Sequence, residues 1–596
     1  MRAYHTLAMT LVMAAATAQA GTVTVTTAND TIDINASTAT LADLPGPDGK
    51  VSFSEAMIAT NNTPGHDTVE FAIPPAEWTL QFAYPGRAVI RTTGGFYFRS
   101  FDDVTIDGST QTAFSGDTNP DGAEVTIYGA TLYINGDNST LRGFDTCAIQ
   151  LTGSNGIIED CTGTMNITVF GGSGSTIRNN TGGTIKIDRS NDNIIIGNTV
   201  TRVRVLGWVG GGLPATNNRV GGPALADRNY ITGYGTHDGE GYPSGSTIQI
   251  FDATDTLIEN NWIGTTPDGL SSGSNASTAG IGFEGENHDT TIINNRIAGI
   301  LGIGQGPHAV GYIAGSAIRI YGNGDGITIQ GNTIGLDAND NPILGSVTGI
   351  YLSNYFSGPP TDINIGGTGP GEGNTIAGHL IDGITVESPV TGAAIRGNAI
   401  FMNNGLGIDL RPASGTPGVT PNDALDADSG ANNFQNFPVL TAASSDGSTT
   451  QVSGQLHSTP LTAFVIDLYA SSECDASGHG QAERFLGSID VSTDASGNAA
   501  FLQSVAAPAF AGEVIVATAT DLVAHVTSEF SACEPVTVAP PACPGDSNGD
   551  LVVDFDDLNE VLANWNTSGG GGDVNGDGVT DFDDLNEVLT HWNQGC

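Results

Sequence analysis

A short pattern recurs along this 596-residue chain: Ile, two residues, Asn, one residue, then Ile or Val. It stands at Ile195-Ile-Gly-Asn198-Thr-Val200, Ile258-Glu-Asn-Asn261-Trp-Ile263, Ile292-Ile-Asn-Asn295-Arg-Ile297, Ile329-Gln-Gly-Asn332-Thr-Ile334 and Ile395-Arg-Gly-Asn398-Ala-Ile400. A tighter block comes first. Leu141, Ile158, Ile177 and Ile195 are 17, 19 and 18 residues apart, and each is followed three residues on by Phe144, Cys161, Asn180 or Asn198. A longer form, Val220-Gly-Gly to Asn229-Tyr-Ile231 and Ile365-Gly-Gly to Asn374-Thr-Ile376, keeps one Gly-to-Asn spacing. Short β runs such as Thr247-Ile-Gln-Ile250 alternate inward and outward residues. One such turn of chain cannot bury its apolar side alone; stacked turns share a continuous core and pair every strand edge except at the ends. An Asn at the same corner of each coil can bond to the Asn above and below. That structural role is expected of Asn198, Asn229, Asn261, Asn295, Asn332, Asn374 and Asn398.

Composition agrees and removes alternatives. Glycine, 83 residues, suits corners that need φ > 0 and disfavours a helical protein. The formal charge is −46, with 18 Lys+Arg against 64 Asp+Glu, so no basic surface for nucleic acid is expected. A hydrophobic fraction of 38% argues against disorder. Residues 1–20 read as a signal peptide: Arg2, an apolar run from Leu7 to Ala16, and Ala18-Gln-Ala20 before Gly21. No later run is long enough to span a bilayer, so the chain is expected to be secreted or at the cell surface. Six cysteines in an exported chain imply disulfides. Sequential pairing, Cys147–Cys161, Cys474–Cys533 and Cys543–Cys596, follows the domain boundaries, with Cys147 and Cys161 alternatively two buried thiols.

The repeat resembles the right-handed parallel β-helix proteins, the architecture shared by pectate lyases and many bacterial surface proteins. More narrowly it is similar to secreted β-helix proteins with an N-terminal CSLREA motif. The matching stretch is Asp48-Gly-Lys-Val-Ser-Phe-Ser-Glu-Ala56 and then Asn61 to Phe71, without the motif's Cys or Leu-Arg. Ser52 and Glu55 form a capping box for a short helix that would close the solenoid. The fold expected is therefore mainly β. N-terminal strands and a capping helix occupy 21–85, a right-handed parallel β-helix 86–411, an acidic exit loop 412–437 and an Ig-like β-sandwich 438–537, followed by a small α module at 543–596. Asp423, Asp426 and Asp428 in the exit loop either hold calcium or form a solvated loop.

The C-terminal module contains two segments 27 residues apart, each with oxygen donors at the spacing that wraps a hard cation. The first offers Asp546, Asn548, Asp550, the Val552 carbonyl, Asp554 and Asp557; the second offers Asp573, Asn575, Asp577, the Val579 carbonyl, Asp581 and Asp584. Each runs into a helix whose apolar stripe (Leu558, Val561, Leu562, Trp565; Leu585, Val588, Leu589, Trp592) is expected to pack on the other. This duplicated EF-hand pair resembles a type I dockerin. The resemblance implies calcium as cofactor, a cohesin-like domain on a scaffold or cell-surface protein as partner, and recognition through Phe555-Asp556 and Phe582-Asp583. Leu551 departs from it, standing where such loops carry Gly.

Two functions follow. One is a non-catalytic exported surface protein for display, adhesion or glycan binding, attached through the calcium module. The other is a polysaccharide lyase or glycoside hydrolase carried by it. No catalytic motif is recognisable. Arg296, Arg319 and Arg396 are the available bases, with Asp252/Asp255 and His237-Asp238-Gly-Glu240 the available acids, each more simply read as a surface residue or turn former. A groove with clustered acids, arginines and aromatics on one face would favour chemistry.

Overall fold

The computed structural model describes residues 20–91, 98–100, 103–145, 148–163, 166–233, 245–273, 277–302, 315–354, 358–412, 417–538, 543–568 and 571–593. The predicted signal peptide, Cys147, Cys596 and the His237–Glu240 loop lie outside them, apart from Ala20. The bulk of residues 1–421 belongs to one compact unit, and residues 436–519 and 530–596 to a second.

The first unit is a parallel β-helix. Among the described residues its long sheets have thirteen strands (Thr22–Val25 to Ala393–Arg396), twelve (Phe98–Ser100 to Ile408–Arg411) and seven (Thr199–Val200 to Ala399–Phe401). The register explains the recurring motif. Its first Ile stacks in the thirteen-strand sheet, where Ile195, Val220, Ile258, Ile292, Ile329, Ile365 and Ile395 are successive partners. Its last residue stacks in the seven-strand sheet, from Val200 through Ile231, Ile263, Ile297, Ile334 and Ile376 to Ile400. Both rows are buried, and each such side chain contributes about 1.5–3 kcal/mol by leaving water.

The corner between these sheets is an asparagine ladder. The Asn198 side-chain amide donates to Asn229 Oδ1 at 3.0 Å and to the Ile177 and Ile196 carbonyls at 2.9 Å. The same bonding continues through Asn261, Asn295, Asn332, Asn374 and Asn398. The ladder starts earlier than these seven, at Asn180, which donates to Asn198 Oδ1 at 3.0 Å. The residue before the ladder Asn is often left-handed (Asn179, φ 57°; Gly197, φ 67°; Asn260, φ 57°), a conformation that Asn and Gly tolerate best.

Two features bear on the expected bounds and pairings. Parallel pairing begins with Thr22–Val25 against Asp67–Phe71, well before residue 86. These first strands join the sheet without the ladder motif, and the helix Phe53–Asn62 packs against them. That helix has the expected Ser52/Glu55 capping box, and Phe53 meets the Phe71 ring at 5.5 Å. Of the two alternatives given for Cys161, the buried free thiol holds and the disulfide does not. It fills the ladder slot below Asn180: its N–H donates to Asn180 Oδ1 at 3.1 Å and its thiol to the Glu159 carbonyl at 3.3 Å. Burial pushes that thiol up to about 12.

The far end of the solenoid is closed by residues that come later in the chain. Asn432 both accepts from the Ala393 N–H at 3.0 Å and donates to its carbonyl at 2.7 Å. Thr527 Oγ1 accepts from the Ile395 N–H at 2.9 Å, and Glu529 accepts from the Leu410 and Thr420 N–H groups at 2.9 and 2.8 Å. These donors would otherwise be an open sheet edge.

In the second unit, strands Val439–Ser445, Thr450–His457 and Asn498–Val505 pair antiparallel, as do Ala463–Ser471 and Arg484–Ser492. Glu534–Val538 joins the two groups, parallel to Val439–Ser445 and antiparallel to Val514–Asp521. Phe464, Ile466, Leu468, Val452, Leu456 and Ile515 share one buried apolar cluster. The Cys474–Cys533 disulfide is present, with Cα atoms 6.0 Å apart. Helices Phe555–Ala563 and Phe582–Thr590 follow, starting at the N-caps Asp554 and Asp581. Their core is small: Val553, Val561 and Val588, with Leu558, Leu585 and Trp592 against it. Leu562, Leu589 and Trp565 of the expected stripe are exposed instead, since two nine-residue helices bury only the line of contact between them. Among the described residues no helix is long and apolar enough to cross a membrane.

Candidate functional site

The two C-terminal loops are built alike. Asp546 accepts from Gly549 and Leu551 N–H at 2.7 and 2.9 Å, and Asp573 from Gly576 and Gly578 at 2.9 and 2.8 Å. Asp557 and Asp584 are buried and close the loops. Asp557 accepts from Ser547 and Asp554 N–H, Asp584 from Val574 and Asp581 N–H, at 2.7 to 2.9 Å. The halves also clasp each other: Asn566 N–H donates to the Thr580 carbonyl at 2.9 Å and Asn593 N–H to that of Val553 at 2.7 Å. One oxygen each from Asp546, Asp550 and Asp557 lie within 4.8 Å of one another. A donor set made only of oxygen, with carboxylates at both ends of a tight loop, fits a hard divalent cation. Asn548, Asn575, Asp554 and Asp581 lie in the same loops, as do the Val552 and Val579 backbones. Leu551 takes φ 71° where Gly578 of the second loop takes φ 94°. A side chain in that conformation costs about 1–2 kcal/mol. Phe555 and Phe582 are 66% and 67% exposed at equivalent positions, beside Asp556 and Asp583. Cys543 is disulfide-bonded; its expected partner Cys596 lies outside the described residues.

In the exit loop Asp423 and Asp426 belong to the second unit. Asp423 accepts from Ala427 N–H at 3.2 Å, and Asp426 from Asn436 N–H and the Ser458 hydroxyl at 3.0 and 2.6 Å. Much of their bonding capacity thus goes to shaping the loop.

The bases and acids singled out in the solenoid are dispersed. Asp252 and Asp255 sit at corners with φ 51° and 52°, and Asp252 accepts from Glu286 N–H at 3.0 Å. They are turn formers. Arg296 reaches Asp340 at 2.8 Å. Arg396 lines a separate hollow of about 330 Å³ with Glu372 and His525.

Arg319 is different, and leads to a feature that sequence reasoning missed. The outward face of the twelve-strand sheet collects charged and aromatic residues in register: Arg204 pairs with Gln249, Gly282 with Arg319, and Arg319 with Tyr351. Glu284 is buried against Arg319 at 3.3 Å and accepts from Gln249 at 2.8 Å. Burial raises its carboxyl above the usual range, opposed by Arg319 and Gln249. Further along the same face Arg411 reaches Asp382 and Asp409, both at 2.7 Å, and Tyr351 donates to Glu387 at 2.8 Å. Burial, with Asp409 close by, pushes Asp382 up to about 6, and burial pushes Glu529 up to about 8. Raised carboxyls beside arginine are a frequent mark of functional sites and also occur in structural networks.

No family model matches the chain, and no curated protein does. Among solved structures it is similar to the enzymatically active domain of bacteriophage CBA120 tailspike protein 2, at 11% identity and TM-score 0.23, covering 80% of this chain and 74% of that one. It is also similar to full-length tailspike protein 2 from an Escherichia coli O157:H7 bacteriophage, at 12% identity and TM-score 0.22, covering 80% and 66%. The parallel β-helix rests on the strand pairing described above.

Proposed function

We propose that this is an exported surface β-helix protein that displays a glycan-contacting face, and that its C-terminal module folds around calcium and docks on a cohesin-like domain. The observation that carries the reading is the duplicated acidic loop and helix. Two loops with one donor pattern, closed by the buried Asp557 and Asp584, present two exposed Phe-Asp pairs at equivalent positions. A module with so small a core depends on metal or disulfide for stability. When bound, calcium would neutralise carboxylates that otherwise repel one another; Asp546, Asp550, Asp554 and Asp557 would hold one ion and Asp573, Asp577, Asp581 and Asp584 the other. In the full chain, chelator is expected to increase hydrogen exchange across residues 546–593 and leave the solenoid's ladder amides protected. Unchanged exchange in the module would overturn the metal assignment. Loss of cohesin capture in Phe555→Ala/Phe582→Ala, with calcium binding kept, would support the docking role.

A second reading, a polysaccharide lyase or glycoside hydrolase, is favoured by one observation: the buried carboxyls Glu284 and Asp382 beside Arg319 and Arg411 on a single face. New reducing ends or unsaturated products from a polysaccharide panel, abolished by Asp382→Asn or Glu284→Gln, would establish it. A panel without product would count against it.

A further inference from the structure

Among the described residues, the outward face of the twelve-strand sheet gathers cations in one place. Of the chain's 18 Lys+Arg, five (Lys186, Arg189, Arg202, Arg204 and Arg319) lie on or beside one stretch of its outward face. Among the described residues two carboxylates lie with them. Asp188 pairs with Lys186 and Arg189, both at 2.8 Å, and Glu284 with Arg319. Gln249 is the hub of the floor: its Oε1 accepts from Arg204 at 2.9 Å and Arg202 at 3.1 Å, and its amide donates to Glu284. In a chain of net −46, such an accumulation selects for an anion.

Beside it is a hollow of about 410 Å³ lined by Asp188, Arg189, Arg204, Trp208, Gln249 and Phe251. Trp208 is 53% exposed yet held in place. The Trp208 backbone N–H donates to the Leu213 carbonyl at 2.8 Å, which ties down the loop, and a Cβ on Gly211 would lie 2.6 Å from the Trp208 ring, so the ring rests on the glycine backbone. Arg189, left-handed at φ 53°, stands 4.4 Å from the Phe170 ring centre and 5.9 Å from that of Trp208. An exposed, positioned aromatic ring suits the C–H face of a sugar, while a guanidinium takes a carboxylate or sulfate in a fork of hydrogen bonds. The volume is that of a small-ligand site.

We propose that this hollow binds an anionic sugar unit of an acidic polysaccharide, with Trp208 and Phe251 as its stacking wall and Arg204 and Arg189 as its acid-binding groups. The assignment rests on the reading of the solenoid as a glycan-contacting surface and names the ligand class. Net repulsion between an acidic protein and an acidic glycan is overcome only where the cations are gathered.

The test is titration calorimetry of the full-length protein, in calcium, with oligogalacturonate, a sulfated galactan oligosaccharide, carboxyl-reduced oligogalacturonate, a neutral xylan oligosaccharide and poly-glutamate. Trp208→Ala and Arg204→Gln are compared with the unaltered chain, far-UV circular dichroism verifying the fold; both keep the calcium module, so their difference isolates the hollow. Binding of an acidic sugar that weakens with salt and drops about tenfold, or about 1.4 kcal/mol, in each variant is expected, since aromatic and arginine anchors are the residues whose removal is felt most. The carboxylate and sulfate arms decide which acid group is taken. Equal binding of the neutral or carboxyl-reduced chain, lost in Trp208→Ala, would overturn the acidic class and leave the glycan reading standing. Acidic sugar bound equally by both variants would remove the hollow as its site. Poly-glutamate bound as tightly as the sugars would make the patch a peptide site, and no binding of any chain would overturn both readings.

Discussion

Each ladder asparagine does work that no other residue of its size reproduces, because inside a buried corner one side-chain amide must serve several acceptors while its oxygen accepts twice. Asn261 donates to Val220, Glu259 and Asn295 and accepts from Asn229 at 2.9 to 3.4 Å. Asn261→Ala leaves buried carbonyls and an amide without partners, each costing about 1–3 kcal/mol. The expected result is a marked fall in the urea midpoint followed by circular dichroism. Leu551 makes the opposite case. Leu551→Gly relieves a left-handed side chain worth about 1 kcal/mol, so tighter binding of one of two calcium ions is expected by titration calorimetry. Affinity unchanged at both sites would show that the first loop is not limited by its backbone.

At the scale of the element, the last coils of the solenoid carry a pH dependence opposite to that of ordinary carboxylates. Glu529 is pushed up to about 8 by burial and by Asp409 and Asp382, and Asp382 up to about 6. A carboxyl whose pKa is higher folded than unfolded binds more protons in the native state, so its contribution falls as pH rises. For these groups the loss runs from the ordinary carboxylate range, near pH 4, through about pH 6 for Asp382 and about pH 8 for Glu529. Hydrogen exchange at Leu410 and Thr420, corrected for intrinsic base catalysis, is expected to quicken between pH 5 and 8 while the Asn229–Asn295 coils stay protected. A uniform response along the solenoid would refute this.

For the molecule as a whole, the solenoid is finished by chain that lies far downstream. A protein ending at Pro421 lacks Asn432, Thr527 and Glu529 and exposes the N–H groups of Ala393, Ile395 and Leu410. Such a truncation is expected to self-associate through the open edge, visible by light scattering, while the intact chain does not. Much of the coil was legible beforehand. The motif Ile-x-x-Asn-x-Ile states two inward residues and the corner between them, and the duplicated C-terminal loops show their oxygen-bearing residues by spacing. Both are local, so a linear reading suffices. Count and order left Cys161 open between a disulfide and a buried thiol, and its place in a ladder slot decides for the thiol. The cation patch was invisible for a related reason. Lys186, Arg204 and Arg319 are far apart in sequence, with loops of unequal length between coils. Only the register of the twelve-strand sheet brings them to one face. The amino-acid sequence by itself determined a stacked β coil with oxygen-rich loops at its end, because repetition and donor spacing are properties of neighbouring residues. The tertiary structure alone decided which outward residues meet, what closes the last coil, and where an acidic protein gathers its cations, because these depend on strands aligned across the intervening chain.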